Sequence, residues 1–247
     1  CKLYRIIMPV PCRRAFEEEE SLTIMSKKVR IGIDVGGTFT DAVVIDSSTY
    51  EVIAKKKIPT THEEGVAAGV VALISQLMEE LGIAPEDVVF IAHGTTQATN
   101  ALLEGDVANV GIMDSRGARN ETNVGDIELA PGKFLKTSHT FIDSKSVNDS
   151  TIQAAIDEVR GAGAEVIVAS EAYSVDNPEN ELRVQENAEN QGLYCTGGHE
   201  ISQLYGLKMR TRTAVVNASL IPKMMETANM TERAVVDTKI QSGLMIM

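Results

Sequence analysis

The chain has 247 residues, 43% of them hydrophobic and 23% charged, which is the composition of a soluble globular protein with a sizeable core. Its 23 basic and 35 acidic residues give a net charge of −12, and this charge argues against nucleic acid or an anionic membrane as the main partner. An anionic ligand would therefore need a local site of backbone amides, helix dipole or metal ion.

The cysteines and the hydropathy indicate the compartment. Cys1, Cys12 and Cys195 lack metal-ligand spacing and cannot all pair, so free thiols in a reducing cytoplasm are the simplest interpretation. No apolar run approaches the roughly 18 to 20 residues of a membrane span. We therefore expect a cytoplasmic protein without a membrane segment.

Residues 1–25 differ in character from the rest of the chain. They combine a basic stretch that contains prolines with a run of four glutamates. We predict an extension that is disordered or non-native, with the natural start at Met25. A signal peptide is the alternative, but residues 6–10 are too short, and too interrupted by proline, to form its apolar core.

The stretch 31–41 predicts a β-hairpin. Apolar residues alternate with Gly32 and Asp34, which is the period of a strand with one buried face. Gly36 and Gly37 then form a tight turn, and residues 38–45 are rich in β-branched side chains and predict the returning strand.

This hairpin has the chemistry of a phosphate site. Gly36 and Gly37 lack Cβ atoms, so a phosphate can approach the amides of the turn. Thr38 and Thr40 are two apart, which predicts that their hydroxyls share a face beside the turn. Asp34 enters the turn with a carboxylate suited to Mg²⁺ or its water. The alternative is an ordinary hairpin with a surface aspartate, its amides bonded to the protein itself.

The next elements predict an antiparallel start followed by alternating helices and strands. A third strand is expected at 51–58, and a capping box at 61–64 begins a helix whose apolar periodicity runs over 70–81. A short buried strand follows at 88–92.

Four residues directly after that strand form a second candidate site: His93, Gly94, Thr95 and Thr96. They precede a helix, so amides and hydroxyls are placed at a helix N-terminus, where an anion or oxyanion binds. His93 is placed to donate to a ligand or to transfer a proton. The alternative is equally well supported: Thr95 or Thr96 is only an N-cap, and His93 is a hydrogen-bonded core residue.

The rest of the chain predicts further α/β structure. A strand at 107–113 completes the order β-β-β-α-β-α-β over residues 29–113, which predicts a mixed sheet covered by helices. Residues 120–147 predict a loop with one strand near 140–142, and Ser150 with Gln153 predicts a capping box. The later elements imply a second parallel sheet or an extension of the first. They are a helix to about 160, a strand at 165–169, a helix at 178–190, a strand at 193–196, a turn at 197–200, a helix at 213–229 and a strand at 235–241.

Residues 34–41 and 93–101 closely resemble two motifs in the A-type chains of the hydantoinase/oxoprolinase family, and the resemblance extends over about residues 29–247. It implies the N-terminal part of an α/β fold of the actin/hexokinase/Hsp70-like (ribonuclease H-like) type, a mixed sheet with helices on both faces. The expected domains are an ATPase-type subdomain with a loop excursion at 26–147 and a second, truncated α/β segment at 148–247. The A-type chains of the family are far longer, so we expect a fragment with half a nucleotide site, weakly active or inactive alone.

The resemblance also implies an activity, which is the ATP-dependent opening of a cyclic amide with a five-membered ring, such as 5-oxoproline or an N-methylhydantoin. It implies ATP and Mg²⁺, a second subunit of the hydantoinase B type and an oligomer. The implied catalytic residues are Asp34, His93 and Thr95, with Asp34 also positioning the metal. The residues implied to face the nucleotide or the substrate are Gly36, Gly37, Thr38, Thr40, Gly94 and Thr96.

Two other functions remain open. The ATP-using subunit of an acetone- or acetophenone-type carboxylase shares the same motifs. A nucleotide-sensing module without chemistry is an alternative from a different class. For Asp41, which points opposite Thr40 on the predicted strand, a structural pairing is as well supported as catalysis.

Overall fold

A computed structural model describes residues 27–36, 38–60, 66–115 and 124–246. The predicted extension at 1–25, the capping box at 61–64 and Gly37 lie outside the described residues.

The first sheet contains the predicted hairpin. Its strands are β1 (Val29–Val35), β2 (Phe39–Asp46), β3 (Val52–Pro59), β4 (Val88–Thr95) and β11 (Leu244–Ile246). Their spatial order is β11-β4-β1-β2-β3. The pairs β1–β2 and β2–β3 are antiparallel, whereas β4 is parallel to both β1 and β11. The predicted antiparallel start is therefore present.

The first sheet buries one face against two helices. The odd-numbered residues of β1, from Val29 to Val35, are at most 3% exposed. They pack with Leu73 and Ile74 of α1 (Val66–Leu81) and with Val235 of the long helix α6 (Leu207–Asp237). Alternation therefore places Gly32 and Asp34 on the opposite face.

The second sheet is entirely parallel. Its strands are β5 (Val110–Ser115), β8 (Thr137–Ile142), β9 (Val166–Ser170) and β10 (Tyr194–Gly197), in the order β10-β9-β5-β8. Helices α3 (Asp149–Gly161) and α4 (Glu179–Glu189) cover one face, and the first half of α6 covers the other. The remaining described elements are a 3₁₀ helix (Pro85–Asp87), α2 (Gln97–Glu104), the hairpin β6 (Glu128–Ala130) and β7 (Lys133–Phe134), and α5 (Gly198–Ile201).

Strand β5 corrects the predicted sheet assignment. We expected the strand at 107–113 to complete the first subdomain, but β5 pairs with β8 and β9 of the second sheet. The second sheet thus takes strands from both sides of residue 147, the predicted domain boundary. On the side away from β1, β4 pairs with β11, which is more than 140 residues further along the sequence.

Helix α6 connects the two sheets and corrects another prediction. Ala214, Val215 and Ala218 pack on the second sheet, Val235 packs on the first, and Pro222 lies between them. The strand predicted at 235–241 is wrong, because the helical period places Val235 in the first core.

Two local details also differ from the predictions. The N-cap of α3 is Asn148, which forms its capping box with Thr151 rather than through Ser150 and Gln153. The predicted turn around His199 is the short helix α5. Among the described helices, none is both long and apolar enough to cross a bilayer.

Candidate functional site

Asp34 lies in a row of residues that crosses the outer face of the first sheet. Its register partners are Gly94 on β4 and Asp41 on β2, and Asp41 in turn pairs with Lys57 on β3. We call these four residues the Asp34 row. The side chain of Asp34 is exposed, and Asp34, Asp41 and Lys57 line an open groove of about 290 Å³. The carboxylate therefore faces a cleft, as a phosphate or metal site requires.

Asp41 has a partner in the same row. Its Oδ2 atom lies 3.0 Å from Nζ of Lys57, and both side chains are about half exposed. Exposed ion pairs of this kind contribute little to stability. The structural pairing that we weighed against catalysis is thus the geometry observed for Asp41, and Lys57 places a positive charge beside the groove.

The turn that follows Asp34 is held by hydrogen bonds within the protein. The amide of Gly36 donates to the Phe39 carbonyl at 3.0 Å, and the amide of Thr60 donates to the Thr38 carbonyl at 2.9 Å. The Thr60 hydroxyl donates to the Gly36 carbonyl at 2.8 Å and lies 3.1 Å from the Thr40 hydroxyl. Since Thr60 gives its only proton to Gly36, Thr40 is the donor to Thr60. We call this chain from Thr40 through Thr60 to Gly36 the turn relay.

The turn relay corrects the expected direction of Thr40. Its side chain is 2% exposed and faces the core, opposite Asp34. Thr38 is exposed but precedes β2, which begins at Phe39, so it does not take part in that strand's alternation. The two hydroxyls therefore do not share a face, and the amide of Gly36 already has an acceptor. The roles of Gly36, Gly37, Thr38 and Thr40 toward phosphate stay predictions.

For the residues after His93, the alternatives were an anion site and a simple helix N-cap, and the structure has features of both. Gly94 is beside the carboxylate of Asp34, and a Cβ atom placed on Gly94 would lie 3.6 Å from Asp34 Oδ1, an ordinary contact distance. Thr96 is the N-cap residue of α2, but its side chain makes no capping hydrogen bond. The hydroxyl of Thr95 instead accepts from the amide of Gln97 at 3.2 Å. Thr95 thus has a capping contact, and Thr96 is exposed.

His93 lies in the core layer of the sheet. Its side chain is 0% exposed, and Nδ1 is 3.0 Å from Oγ1 of Thr231 on α6. Nε2 has no hydrogen-bond partner among the residues that the structure describes. Burial lowers the pKa of His93, and the nearby Asp34 carboxylate opposes this shift. His93 is consequently a neutral imidazole at pH 7.

The structure therefore brings some of the predicted residues together and separates others. Asp34 and Gly94 share one row on the outer face, whereas the His93 ring and the Thr40 hydroxyl face the opposite, buried side. The sequence did not predict Lys57, Thr60 or Thr231 as residues of the site. Only Lys57 could have been found, because it lies on the outward phase of a predicted strand.

A second polar cluster surrounds His199. Its Nδ1 lies 2.6 Å from Glu181 Oε2, and Glu181 also accepts the amides of His199 and Glu171. Arg210, 2% exposed, donates to the carbonyls of Leu204 and Glu171. These contacts connect α4, α5, α6 and the loop after β9, so they stabilise the second sheet.

The sequence matches a family model over residues 30–192, and its description is the hydantoinase/oxoprolinase N-terminal region. The chain therefore belongs to the hydantoinase/oxoprolinase family, of which it contains the N-terminal region. This confirms the family resemblance of the two motifs.

Two curated relatives have similar sequences. The alpha subunit of the caprolactamase from Pseudomonas jessenii is 30% identical over 228 residues, which cover 81% of this chain and 32% of that protein. The gamma subunit of the acetophenone carboxylase from Aromatoleum aromaticum is 24% identical over 240 residues, with the same shares of 81% and 32%. The chain thus spans about a third of the length of the curated relatives it matches.

Two solved structures share the fold. The ATP-dependent caprolactamase from Pseudomonas jessenii superposes with a TM-score of 0.63 at 26% identity, covering 88% of this chain and 35% of that chain. A nucleotide-free acetone carboxylase superposes with a TM-score of 0.67 at 20% identity, covering 90% and 36%. These similarities confirm the predicted fold class, an α/β fold of the actin/hexokinase/Hsp70-like type.

Proposed function

We propose that the chain is the N-terminal, nucleotide-binding part of an ATP-dependent hydrolase that opens a cyclic amide with a five-membered ring. The observation that carries this proposal is the exposed carboxylate of Asp34, which lines a groove over β1, β2 and β3 and lies beside Gly94 of β4. Membership of the family supports it. The names of the caprolactamase relatives, one of them described as ATP-dependent, support both the nucleotide and the amide.

The described residues fit Mg²⁺ and a polyphosphate in part. A carboxylate such as Asp34 is the ligand that Mg²⁺ takes in nucleotide sites. Gly94 leaves the space above that carboxylate free of a side chain, and Thr38 and Thr96 offer exposed hydroxyls. The amide of Gly36 would have to release Phe39 before it could donate to phosphate, so we assign it to shaping the turn. Thr40 also helps to shape the turn, through its hydrogen bond to Thr60.

The proposed chemistry divides between the nucleotide and the chain. ATP, when bound, supplies the phosphoryl group that makes the amide carbon electrophilic enough for water to attack. Asp34 would hold the metal, and Lys57 adds positive charge at the groove. His93 and Thr95 would act from the end of β4. Because the His93 ring is buried on the face opposite Asp34, its neutral imidazole would accept a proton from a ligand group or a water that reaches that face.

We further propose a second subunit of the hydantoinase B type, an oligomeric assembly and a cytoplasmic location. Both curated relatives described above are named as subunits, which supports the expectation of a partner.

The decisive experiment measures ATP hydrolysis by the full-length protein together with its partner subunit, with and without 5-oxoproline or a hydantoin. We expect turnover that depends on the cyclic amide and is lost in Asp34→Asn. Asp149→Asn, on the exposed start of α3, is the matched control and should retain full activity. Equal turnover in Asp34→Asn and the wild type would refute the proposal.

The similarity to the acetophenone carboxylase gamma subunit supports a second candidate, the ATP-using subunit of a ketone carboxylase. The same assay with a ketone and bicarbonate tests it. Nucleotide binding without turnover on any of these substrates would favour a module that has no chemistry.

A further inference from the structure

We infer that Thr231 is a positioning residue that holds His93 as the Nδ1–H tautomer, so that Nε2 is left as a buried acceptor for the site. This inference rests on the proposed function, in which His93 belongs to the site. It is carried by the hydrogen bonds between β4 and α6.

The protons of this cluster can be assigned by counting. The Thr231 hydroxyl lies 2.9 Å from the carbonyl of Thr227 and 3.0 Å from Nδ1 of His93. A hydroxyl has one proton, and a carbonyl only accepts. If Thr231 donates to Thr227, then Nδ1–H donates to Thr231, and both hydrogen bonds form. If Thr231 donates to His93 instead, only one forms. The first arrangement satisfies more buried groups.

The same arrangement determines what Nε2 can do. The ring is neutral because burial lowers the pKa of His93. With the proton on Nδ1, Nε2 carries a lone pair and has no partner within the described part of the chain. Buried acceptors are nearly always paired in folded proteins. Because Nε2 has no partner among the residues that the structure describes, we expect its donor to arrive with the ligand or with a bound water.

Helix α6 makes a second contact with the same motif. The Thr227 hydroxyl, one turn before Thr231, bonds to Oε1 of Gln97, the first residue of α2. The two threonines are 2% and 1% exposed, respectively. One face of α6 therefore fixes both ends of the segment from His93 to Gln97, and Thr227 provides a matched control.

The test is a long-range ¹H–¹⁵N correlation spectrum of the 247-residue chain labelled on its histidines. The chain has four histidines, and the signals of His93 are those absent from His93→Gln. We expect a protonated Nδ1 and an unprotonated Nε2 in the wild type and in Thr231→Ser and Thr227→Val. In Thr231→Val the two nitrogen shifts should move toward each other as the tautomers mix.

Two results would overturn the inference. One is a wild-type spectrum with the proton on Nε2, which decides the matter even if Thr231→Val fails to fold. The other is an unchanged tautomer in Thr231→Val. This test can be distinguished from the test of the proposed function. The expected tautomer without any binding of Mg·ATP would refute only the proposed function. Nucleotide binding with an Nε2–H tautomer would refute only the role of Thr231.

Discussion

Replacing Thr40 with valine should lower stability without removing a phosphate ligand. Valine keeps the buried volume but removes the donor to Thr60 in the turn relay. A net hydrogen bond is worth about 0.5–1.5 kcal/mol, so we expect a loss of about 1 kcal/mol. Thr60→Val should cost more, about 1–3 kcal/mol, because it leaves both the Gly36 carbonyl and the Thr40 hydroxyl without partners.

Thr38→Val is the control, because Thr38 is exposed and lies outside β2. Its stability should stay within about 0.5 kcal/mol of the wild type. Thermal unfolding measures the difference, since 1 kcal/mol shifts Tm by about 2–4 °C in a chain of this size. Titration with Mg·ATP provides the second readout: Thr38→Val should weaken binding more than Thr40→Val. Unchanged stability of Thr40→Val together with lost nucleotide binding would refute the turn relay.

Three further predictions concern stability and reactivity. Gly111→Ala should destabilise the fold by about 1–3 kcal/mol in chemical unfolding, because the added Cβ would lie 2.7 Å from Val159. Gly161 has open space around it, so Gly161→Ala should be nearly neutral. Equal losses of stability in the two variants would contradict the packing argument. A serine hydroxyl and two backbone amides hold the pKa of Asp46 below its usual value, so its contribution to stability is complete above about pH 4 and is lost as the pH falls below that. Asp46→Asn should accordingly flatten the acid limb of the stability curve, and an unchanged limb would count against it. Burial raises the pKa of Cys195 to about 12, so peptide mapping should show no alkylation there at pH 8 until the protein is unfolded; rapid labelling of the folded protein would contradict this.

The hairpin and its antiparallel partners could be predicted because their signals are local. The alternation around Asp34 and the glycines of the turn determine which residues face out. The direction of Thr40 could not be predicted, since it depended on where β2 begins, and that depends on the bond between Gly36 and Phe39.

Long-range pairing explains the larger errors. Strand β5 has the composition of any buried strand, and nothing near it in the sequence tells which sheet it joins. The partner of His93 is likewise distant: Thr231 is 138 residues further along the chain. The β-branched residues Val235 and Val236 have a high strand propensity, which predicted a strand here. The segment is helical instead, and this conformation buries Val235 against the first sheet.

The proposed function depends on the binding of a nucleotide's polyphosphate by Asp34, through Mg²⁺, and by the exposed hydroxyl of Thr38. The most direct test records amide chemical shifts of the chain as Mg²⁺ and a non-hydrolysable ATP analogue are added to millimolar concentration, at which weak binding is still detected. We predict shifts at Thr38, Gly94 and their neighbours that disappear in Asp34→Asn. Shifts confined to other parts of the chain, or none at all, would contradict the claim.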